Sequence, residues 1–291
     1  MPAPNSTFEA HPLPAEPLKK PRPRASTSTF PHLSFSPSPT GVDTNLLILL
    51  HGAGDSAAPF HILATKRLQH ILPQTATLTL QGQKRIPWLP PEETACCYWD
   101  VVDEVTGMPV EREDPRDFLR RWTGLLDHLV DECGWKPERI HVFGFAHGGS
   151  AGLEGAAVWP RERKRRWAER KKEEDEEGST AASSPPPRLG SLISVSGPLL
   201  SLPTFEGGPL ATPVLYLSPP KSAATDRHLR ELRRAFANVE RVALVGGEEG
   251  TPRMPSSKAE WDPIMLFWSK LLSQRSTLEM EGEVYQVKPS S

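Results

Sequence analysis

The sequence predicts an α/β domain in which a mostly parallel sheet is covered by helices on both faces. Three observations lead to this fold class: short apolar runs alternate with helical patterns, several runs are apolar at nearly every position, and several of the helical stretches are amphipathic. A strand that is apolar on both faces is typical of the buried centre of a parallel sheet. With 291 residues, the chain is long enough for one large domain with tails.

The N-terminal region, residues 1–43, is rich in proline, serine and threonine and poor in branched apolar residues. Such a segment buries too little apolar surface to offset the entropy of ordering it, so we predict a disordered tail. Within it, Pro31–Pro39 is compatible with a short edge strand, but its prolines limit pairing and we favour a solvated tail there as well. The folded domain is predicted to span residues 44–275, and residues 276–291 are predicted to be a C-terminal tail.

Strands and helices alternate in order along the predicted domain. The runs that predict strands are NLLILL, TATLTL, RIHVFGF, SLISVSG, PVLYLS and RVALVG. The segments that predict helices are DSAAPFHILATKRLQHIL, DPRDFLRRWTGLLDHLVDECGW, GGSAGLEGAAVW, TDRHLRELRRAFANV and KAEWDPIMLFWSKLLSQ. In the second of these, the apolar residues recur near helical spacing and form one stripe: Phe118, Trp122, Leu125, Leu129 and Val130.

Residues 160–188 interrupt this alternation with a basic block, an acidic block and a Ser/Pro-rich stretch. The two blocks nearly neutralise one another, and their order favours a solvated helix with ion pairs between successive turns. We interpret the segment as an exposed insertion between a helix and the next strand. Two alternatives stay open: an arm that docks a partner protein, and a nuclear import signal in RERKRR.

Composition argues against several classes of function. The formal net charge of −2 gives no whole-molecule attraction to nucleic acid or to an anionic membrane, so no nucleic-acid partner is expected. No apolar run approaches the roughly 18 residues of a transmembrane segment, and the N-terminus has no apolar stretch of the signal-peptide kind. The three cysteines, Cys96, Cys97 and Cys133, predict reduced thiols in the cytoplasm. No cluster has metal-ligand spacing and no phosphate-binding glycine loop occurs, so neither a metal nor a cofactor is expected.

The most informative stretch is HVFGFAHGGSAG at residues 141–152, whose pattern predicts a strand, a tight glycine turn and a helix. In the pattern G-x-S-x-G, the same arrangement presents a nucleophilic serine on a sharp turn. Gly144, Gly148 and the following Gly149 fit this arrangement. The serine position, however, holds Ala146, whose methyl group cannot attack a carbonyl.

A second glycine turn follows the first central strand, in LLILLHGAGDS at residues 46–56. Gly52 and Gly54 let the backbone turn sharply, so that its N–H groups point into the space above the sheet edge. We interpret His51 as a residue that orients this loop and Asp55 as a helix cap.

With GSLISVSGPLL at residues 190–200, these two stretches resemble three segments of the phospholipase/carboxylesterase family, which includes the acyl-protein thioesterases. The resemblance covers roughly residues 45–274 without the insertion, and it implies an α/β-hydrolase fold. It also implies that the backbone N–H groups of Ala53 and His147 form an oxyanion hole. Because backbone donors depend little on side-chain identity, this hole is expected to survive, and losing one such donor costs about 3–4 kcal/mol of oxyanion stabilisation.

The other two members of the catalytic triad are also missing from the positions that the resemblance implies. In this fold the acid and then the histidine follow the serine in chain order. The first carboxylate after PVLYLS is Asp226, which begins the next helix. The stretch after RVALVG contains no histidine, because His228 is the last one in the chain. Three vacant positions indicate a chain that does not use the serine mechanism.

We therefore expect a non-catalytic protein that keeps an oxyanion-type pocket for a small acyl or ester ligand or for a protein partner. The side chain of His147 is interpreted either as a ligand contact or as a solvated group. Two further functions stay open. One is hydrolysis of a carboxylic ester or acyl thioester through Ser150, Cys96 or Cys97, and the other is a protein-interaction scaffold that uses the charged insertion.

Overall fold

The computed structural model describes residues 8–12, 17–26, 28–86, 94–174, 187–201, 208–219, 223–245, 251–281 and 285–289. Its strands are β1 (Phe8–Pro12), β2 (Leu33–Ser36), β3 (Asn45–Leu50), β4 (Thr75–Leu80), β5 (Lys84–Arg85), β6 (Cys96–Cys97), β7 (Ile140–Phe145), β8 (Ser191–Val195), β9 (Val214–Ser218), β10 (Val239–Ala243) and β11 (Tyr285–Pro289). Its helices are α1 (Ala57–Leu63), α2 (Gln69–Ile71), α3 (Arg116–Asp131), α4 (His147–Glu174), α5 (Ala223–Ala235), α6 (Lys258–Leu271) and α7 (Thr277–Glu281). A π-helical segment, Ala64–Leu68, joins α1 to α2.

The central sheet has seven strands in the order β10-β9-β8-β7-β3-β4-β2. All neighbours are parallel except β2, which pairs antiparallel with β4 at the edge. Parallel strands joined through helices place the carboxyl ends of β3, β7, β8, β9 and β10 at one edge, where loops can meet. The predicted fold class is confirmed. Within residues 31–39 the less favoured alternative, an edge strand, is present as β2, and the solvated tail that we favoured there is wrong.

Two apolar layers enclose the sheet. One contains side chains of α3, α4 and α5, and the other contains side chains of α1 and α6. The predicted stripe on α3 lies in the first layer, where all of its residues except the partly buried Val130 are fully buried. Gly155 explains how α4 approaches this stripe, because a Cβ there would lie 2.4 Å from Nε1 of Trp122. No helix in the described ranges is long and apolar enough to cross a membrane.

The structure corrects the predicted N-terminal tail over residues 17–43. Phe30 is fully buried and packs edge-on against Phe118, with ring centroids 6.0 Å apart. The carboxylate of Asp43 accepts hydrogen bonds from the backbone N–H groups of Lys20 (3.0 Å) and Ser38 (2.9 Å). The composition of this segment does not reveal the packing, because two side chains, Phe30 and the buried carboxylate of Asp43, anchor a stretch that is otherwise polar.

The predicted boundaries change at two other places. Residues 276–291, predicted to be a tail, contain α7 and β11, and β11 pairs antiparallel with β1. The predicted insertion at residues 160–188 begins as a continuation of α4, which runs through Glu174 despite Pro160. Arg163 on this continuation bonds to Asp127 (2.9 Å) and Asp131 (2.6 Å) of α3, which explains why the basic block is helical. Residues 175–186 of the insertion lie outside the described ranges.

Replacing Phe30 tests whether the N-terminal segment belongs to the folded domain. The variant Phe30→Ala is expected to lower the free energy of unfolding by about 3–5 kcal/mol, because it leaves a cavity against α3. Leu18→Ala is the matched control, since Leu18 is 40% exposed in the same segment. Urea denaturation of both variants measures the effect, and equal small losses would contradict the packing.

Candidate functional site

The site is built around a strained turn at Ala146, between the end of β7 and the start of α4. Ala146 has a φ of 47°, a left-handed conformation that is unfavourable for a residue with a Cβ atom. Its N–H donates to the carbonyl of Val195 at 2.7 Å, and its own carbonyl accepts from the N–H of Ser150 at 3.1 Å. This is the geometry in which an α/β-hydrolase exposes its nucleophile. Here it presents a methyl group.

Close backbone contacts explain the glycines around this turn. A Cβ on Gly144 would lie 2.2 Å from the carbonyl oxygen of Gly148, and one on Gly148 would lie 2.4 Å from the carbonyl oxygen of His51. A Cβ on Gly149 would lie 2.4 Å from Oγ of Ser194. No side chain fits at these distances, so the strand, the helix and the neighbouring loop meet only because these residues are glycine.

The loop after β3 lies against the turn. A Cβ built on Gly52 would be 3.8 Å from the methyl carbon of Ala146, and Gly54 has a φ of 80°. His51 is fully buried, and its Nε2 accepts a hydrogen bond from the N–H of Gly82 at 2.9 Å. Its Nδ1 is therefore the protonated nitrogen and donates to the carbonyl of Gly52 at 2.7 Å. Burial lowers the pKa of His51, so the imidazole is neutral and orients the loop as predicted.

Asp55 differs from the sequence-based interpretation. Ser56 is the N-cap residue of α1, and its side chain forms no capping hydrogen bond. Oδ1 of Asp55 accepts from the N–H of Ser56 at 2.7 Å, and the Asp55 carbonyl accepts from the N–H of Cys96 at 2.9 Å. This pairing with Cys96 fixes Asp55, the predicted cap, one residue before the observed N-cap Ser56.

The two backbone N–H groups expected to form an oxyanion hole are those of Ala53 and His147. Neither has a hydrogen-bond partner among the residues that the structure describes. Ala53 is exposed, and His147 is the first residue of α4, whose N-terminal end carries a partial positive charge. Both groups are therefore free to donate to an electron-rich oxygen above Ala146.

The side chain of His147 is not solvated, which excludes one of the two predicted interpretations. It is 6% exposed and lies edge-on to Trp99, with ring centroids 4.1 Å apart. Its Nδ1 accepts from the N–H of Tyr98 at 3.4 Å, and Oε2 of Glu113 is 3.9 Å from its Nε2. Burial, with His51 nearby, lowers the pKa of His147 to about 3, so the ring is neutral at pH 7.

Arginine side chains form hydrogen bonds at the two strand ends where a triad acid and a triad histidine are expected. At the end of β9, Oγ of Ser218 accepts from Nε of Arg241 (3.0 Å), and the carbonyl of Pro219 accepts from Nη2 of Arg241 (3.3 Å). Arg241 itself lies on β10. After β10, Glu260 accepts from the N–H of Val245 (3.0 Å) and from Nη1 of Arg253 (3.0 Å). The hydrogen bond from Arg253 lowers the pKa of Glu260, which is therefore ionised at neutral pH.

The three candidate substitute nucleophiles lack an activating base. Within the described ranges, no hydrogen bond joins Oγ of Ser150 or Sγ of Cys96 or Cys97 to an imidazole. Sγ of Cys97 instead donates to the carbonyl of Lys84 at 3.5 Å. Burial raises the pKa of Cys97 to about 11, so the thiol stays protonated at neutral pH.

A thiol, an imidazole and a carboxylate do meet elsewhere, in an arrangement that the sequence analysis missed. Sγ of Cys133 is 3.6 Å from Nε2 of His128, and Nδ1 of His128 is 2.9 Å from Oε1 of Glu132. This group lies at the C-terminal end of α3 and precedes β7, so it is at the sheet edge opposite Ala146. Nε2 also accepts from the N–H of Arg24 (3.1 Å), and burial raises the pKa of Cys133 to about 11. The arrangement is therefore structural.

A cavity of about 920 Å³ opens between β2 and α1. Leu33, Ala57 and His61 form part of its wall, with Gln81 and Cys96 nearby. Among the residues that the structure describes, the turn at Ala146 does not line this cavity.

Comparison with known proteins gives one curated relative and many solved structures of similar fold. A Mycosarcoma maydis protein described as an uncharacterized hydrolase is 34% identical over 265 residues, which are 90% of this chain and 90% of that protein. Esterase PE8 matches with a TM-score of 0.56 and 15% identity, over 82% of this chain and 98% of its own. Arabidopsis thaliana SOBER1 L63A matches with a TM-score of 0.53 and 18% identity, over 79% of this chain and 99% of its own. No protein-family model matches the chain.

The buried neutral imidazole of His147 gives a pH test. Because unfolding restores a pKa near 6.5, the unfolded chain binds a proton between about pH 6.5 and pH 3 and the folded chain does not. The free energy of unfolding should therefore fall as pH is lowered through this window. His147→Gln should become more stable relative to the wild type by at most about 1.4 kcal/mol per pH unit.

Urea denaturation at pH 7, 6 and 5 measures this difference. Ser150→Ala is the control, because it removes a buried polar group of the same helix that does not titrate, and its difference from the wild type should not change with pH. A constant difference for His147→Gln as well would contradict the buried neutral imidazole.

Proposed function

We propose that the chain, which belongs to the same family as the Mycosarcoma maydis hydrolase and has the fold of the α/β-hydrolase esterases, binds a small acyl or ester ligand without hydrolysing it. The observation that carries this proposal is the methyl group of Ala146 on a fully formed nucleophile turn. A carbonyl oxygen placed above this methyl group would accept hydrogen bonds from the N–H groups of Ala53 and His147. The carbonyl carbon would meet no nucleophile.

The surroundings of the turn support the absence of catalysis. General-base catalysis needs an imidazole or carboxylate whose free lone pair faces the reacting group. Nε2 of His51 is occupied by the N–H of Gly82, and Nδ1 of His147 is occupied by the N–H of Tyr98. All nine histidines of the chain lie in described ranges, and none of them is at the end of β9 or β10. A proton taken from an attacking group would therefore have no imidazole to accept it in the described ranges.

Two alternative functions follow from the same family and the same chain. Hydrolysis through Ser150, Cys96 or Cys97 would need a base that the described residues do not place beside them. An interaction scaffold would use the charged part of the long α4, which runs through Glu174. We also propose a cytoplasmic location, which the three free cysteines support.

Restoring the hydroxyl should not restore activity. We expect neither the wild type nor Ala146→Ser to react with a fluorophosphonate probe, because a serine without a neighbouring base is a weak nucleophile. Gel fluorescence after labelling measures this, with an active serine esterase as positive control. Strong labelling of Ala146→Ser would show that a working base is present and would overturn the proposal.

Filling the space above the turn should abolish ligand binding. Ethyl butyrate is a suitable probe, because it offers one ester carbonyl and little else, and saturation-transfer NMR detects its binding without turnover. Ala146→Phe is expected to remove at least about 90% of the signal, because its ring occupies the place of the carbonyl group. Ala224→Phe, at an exposed position on α5, is the control and should bind like the wild type. Equal signals from both variants would place the ligand elsewhere.

A further inference from the structure

A buried donor beside the turn has no partner. Nδ1 of His147 accepts a hydrogen bond, so in the neutral ring Nε2 carries the proton. This Nε2 is buried and has no hydrogen-bond partner in the described ranges. The side chain is more than nine-tenths buried, with 6% exposed. An unsatisfied buried donor is costly, so native proteins rarely keep one without a reason.

A matching acceptor is held at a fixed distance from this donor. Oε2 of Glu113 is 3.9 Å from Nε2 of His147, which is too far for a direct hydrogen bond. Nε1 of Trp99 donates to the same carboxylate oxygen at 2.5 Å, and the Trp99 ring packs edge-on against His147. Trp99 therefore positions both groups and keeps them apart.

The gap between the two groups suits one kind of atom. An oxygen about 2.8 Å from each would accept from Nε2–H and donate to the carboxylate of Glu113. Only a group that both accepts and donates a hydrogen bond can contact both side chains in this way, and on an organic ligand a hydroxyl is the simplest such group. A ketone oxygen has no proton to donate to the carboxylate of Glu113. An ammonium group has no lone pair to accept the hydrogen bond from Nε2–H of His147.

This gap adjoins the carbonyl-binding position. The backbone N–H of His147 is one of the two donors proposed for the ligand carbonyl, and Nε2–H belongs to the same residue. Because both positions use His147, a ligand that reaches both would carry its hydroxyl within a few bonds of its carbonyl. We propose that His147 and Glu113 form a hydroxyl-binding subsite, and that the ligand is a hydroxylated acyl compound such as a hydroxy ester. This inference rests on the proposed function, because it adds a second contact to the same ligand.

Matched esters test the subsite. Dissociation constants are measured by NMR titration for ethyl butyrate, ethyl 2-hydroxybutyrate and ethyl 3-hydroxybutyrate with the full-length protein. At least one hydroxy ester is expected to bind about tenfold or more tightly than ethyl butyrate, because its hydroxyl forms hydrogen bonds to both His147 and Glu113. In uniformly ¹⁵N-labelled protein, the Nε2–H signal of His147 should shift with the hydroxy ester and not with ethyl butyrate.

Variants assign the preference to the two side chains. Glu113→Ala is expected to reduce the ratio of the two dissociation constants to about one, and Glu113→Gln to retain part of it, because its amide oxygen still accepts. Glu111→Gln, in the same loop and exposed, is the control and should keep the wild-type ratio. His147→Phe, which keeps a ring in place but removes the donor, gives a second measurement if Glu113→Ala does not fold.

The outcomes separate the two proposals. If all three esters bind equally, the gap holds only water and the subsite is wrong, while the proposed function stands. If none of the esters binds, or if they are consumed, the proposed function fails first. A hydroxyl preference that persists in both Glu113→Ala and His147→Phe would overturn the assignment of the subsite.

Discussion

The turn at Ala146 is the constraint on which the rest of the site depends. Its φ of 47° is unfavourable for alanine, and the packing around it maintains it. Gly148 brings the start of α4 against the backbone of His51, and Gly144 lets the helix pass close to the end of β7. One local geometry therefore positions the loop after β3, the free N–H groups and the N-terminal end of a 28-residue helix. None of these contacts needs a nucleophile, which explains how the geometry persists without one.

Binding a carbonyl and breaking an acyl bond make different demands on this fold. The donors are backbone groups, so side-chain replacement leaves them in place. Proton transfer needs side chains from three strand ends. Here the first strand end presents only a methyl group, and at the other two the backbone and side chains form hydrogen bonds in which Arg241 and Arg253 take part. Because arginine is always charged, neither can accept a proton from an attacking group. The separation of His147 from Glu113 would then let the site prefer a ligand that carries a hydroxyl group.

Much of the fold was predictable from local patterns, and the site only in part. Continuous apolar runs identified the parallel strands, and the spacing of Phe118 and Trp122 identified a buried helical face. The N-terminal segment was missed because its order depends on Phe30 meeting α3, a contact that composition does not encode. The Glu113 contact was missed for the same reason: Glu113 and His147 are far apart in sequence, and only the tertiary packing of Trp99 brings them together.

The central claim is that the N–H groups of Ala53 and His147 hold a ligand carbonyl that the protein does not cleave. The most direct measurement is a ¹H–¹⁵N spectrum of the labelled protein, recorded during titration with ethyl butyrate while the ester signals are followed over several hours. We expect downfield shifts of both amide protons, as new hydrogen bonds form, with a constant amount of ester. Unchanged amide signals, or the appearance of butyrate and ethanol, would contradict the account.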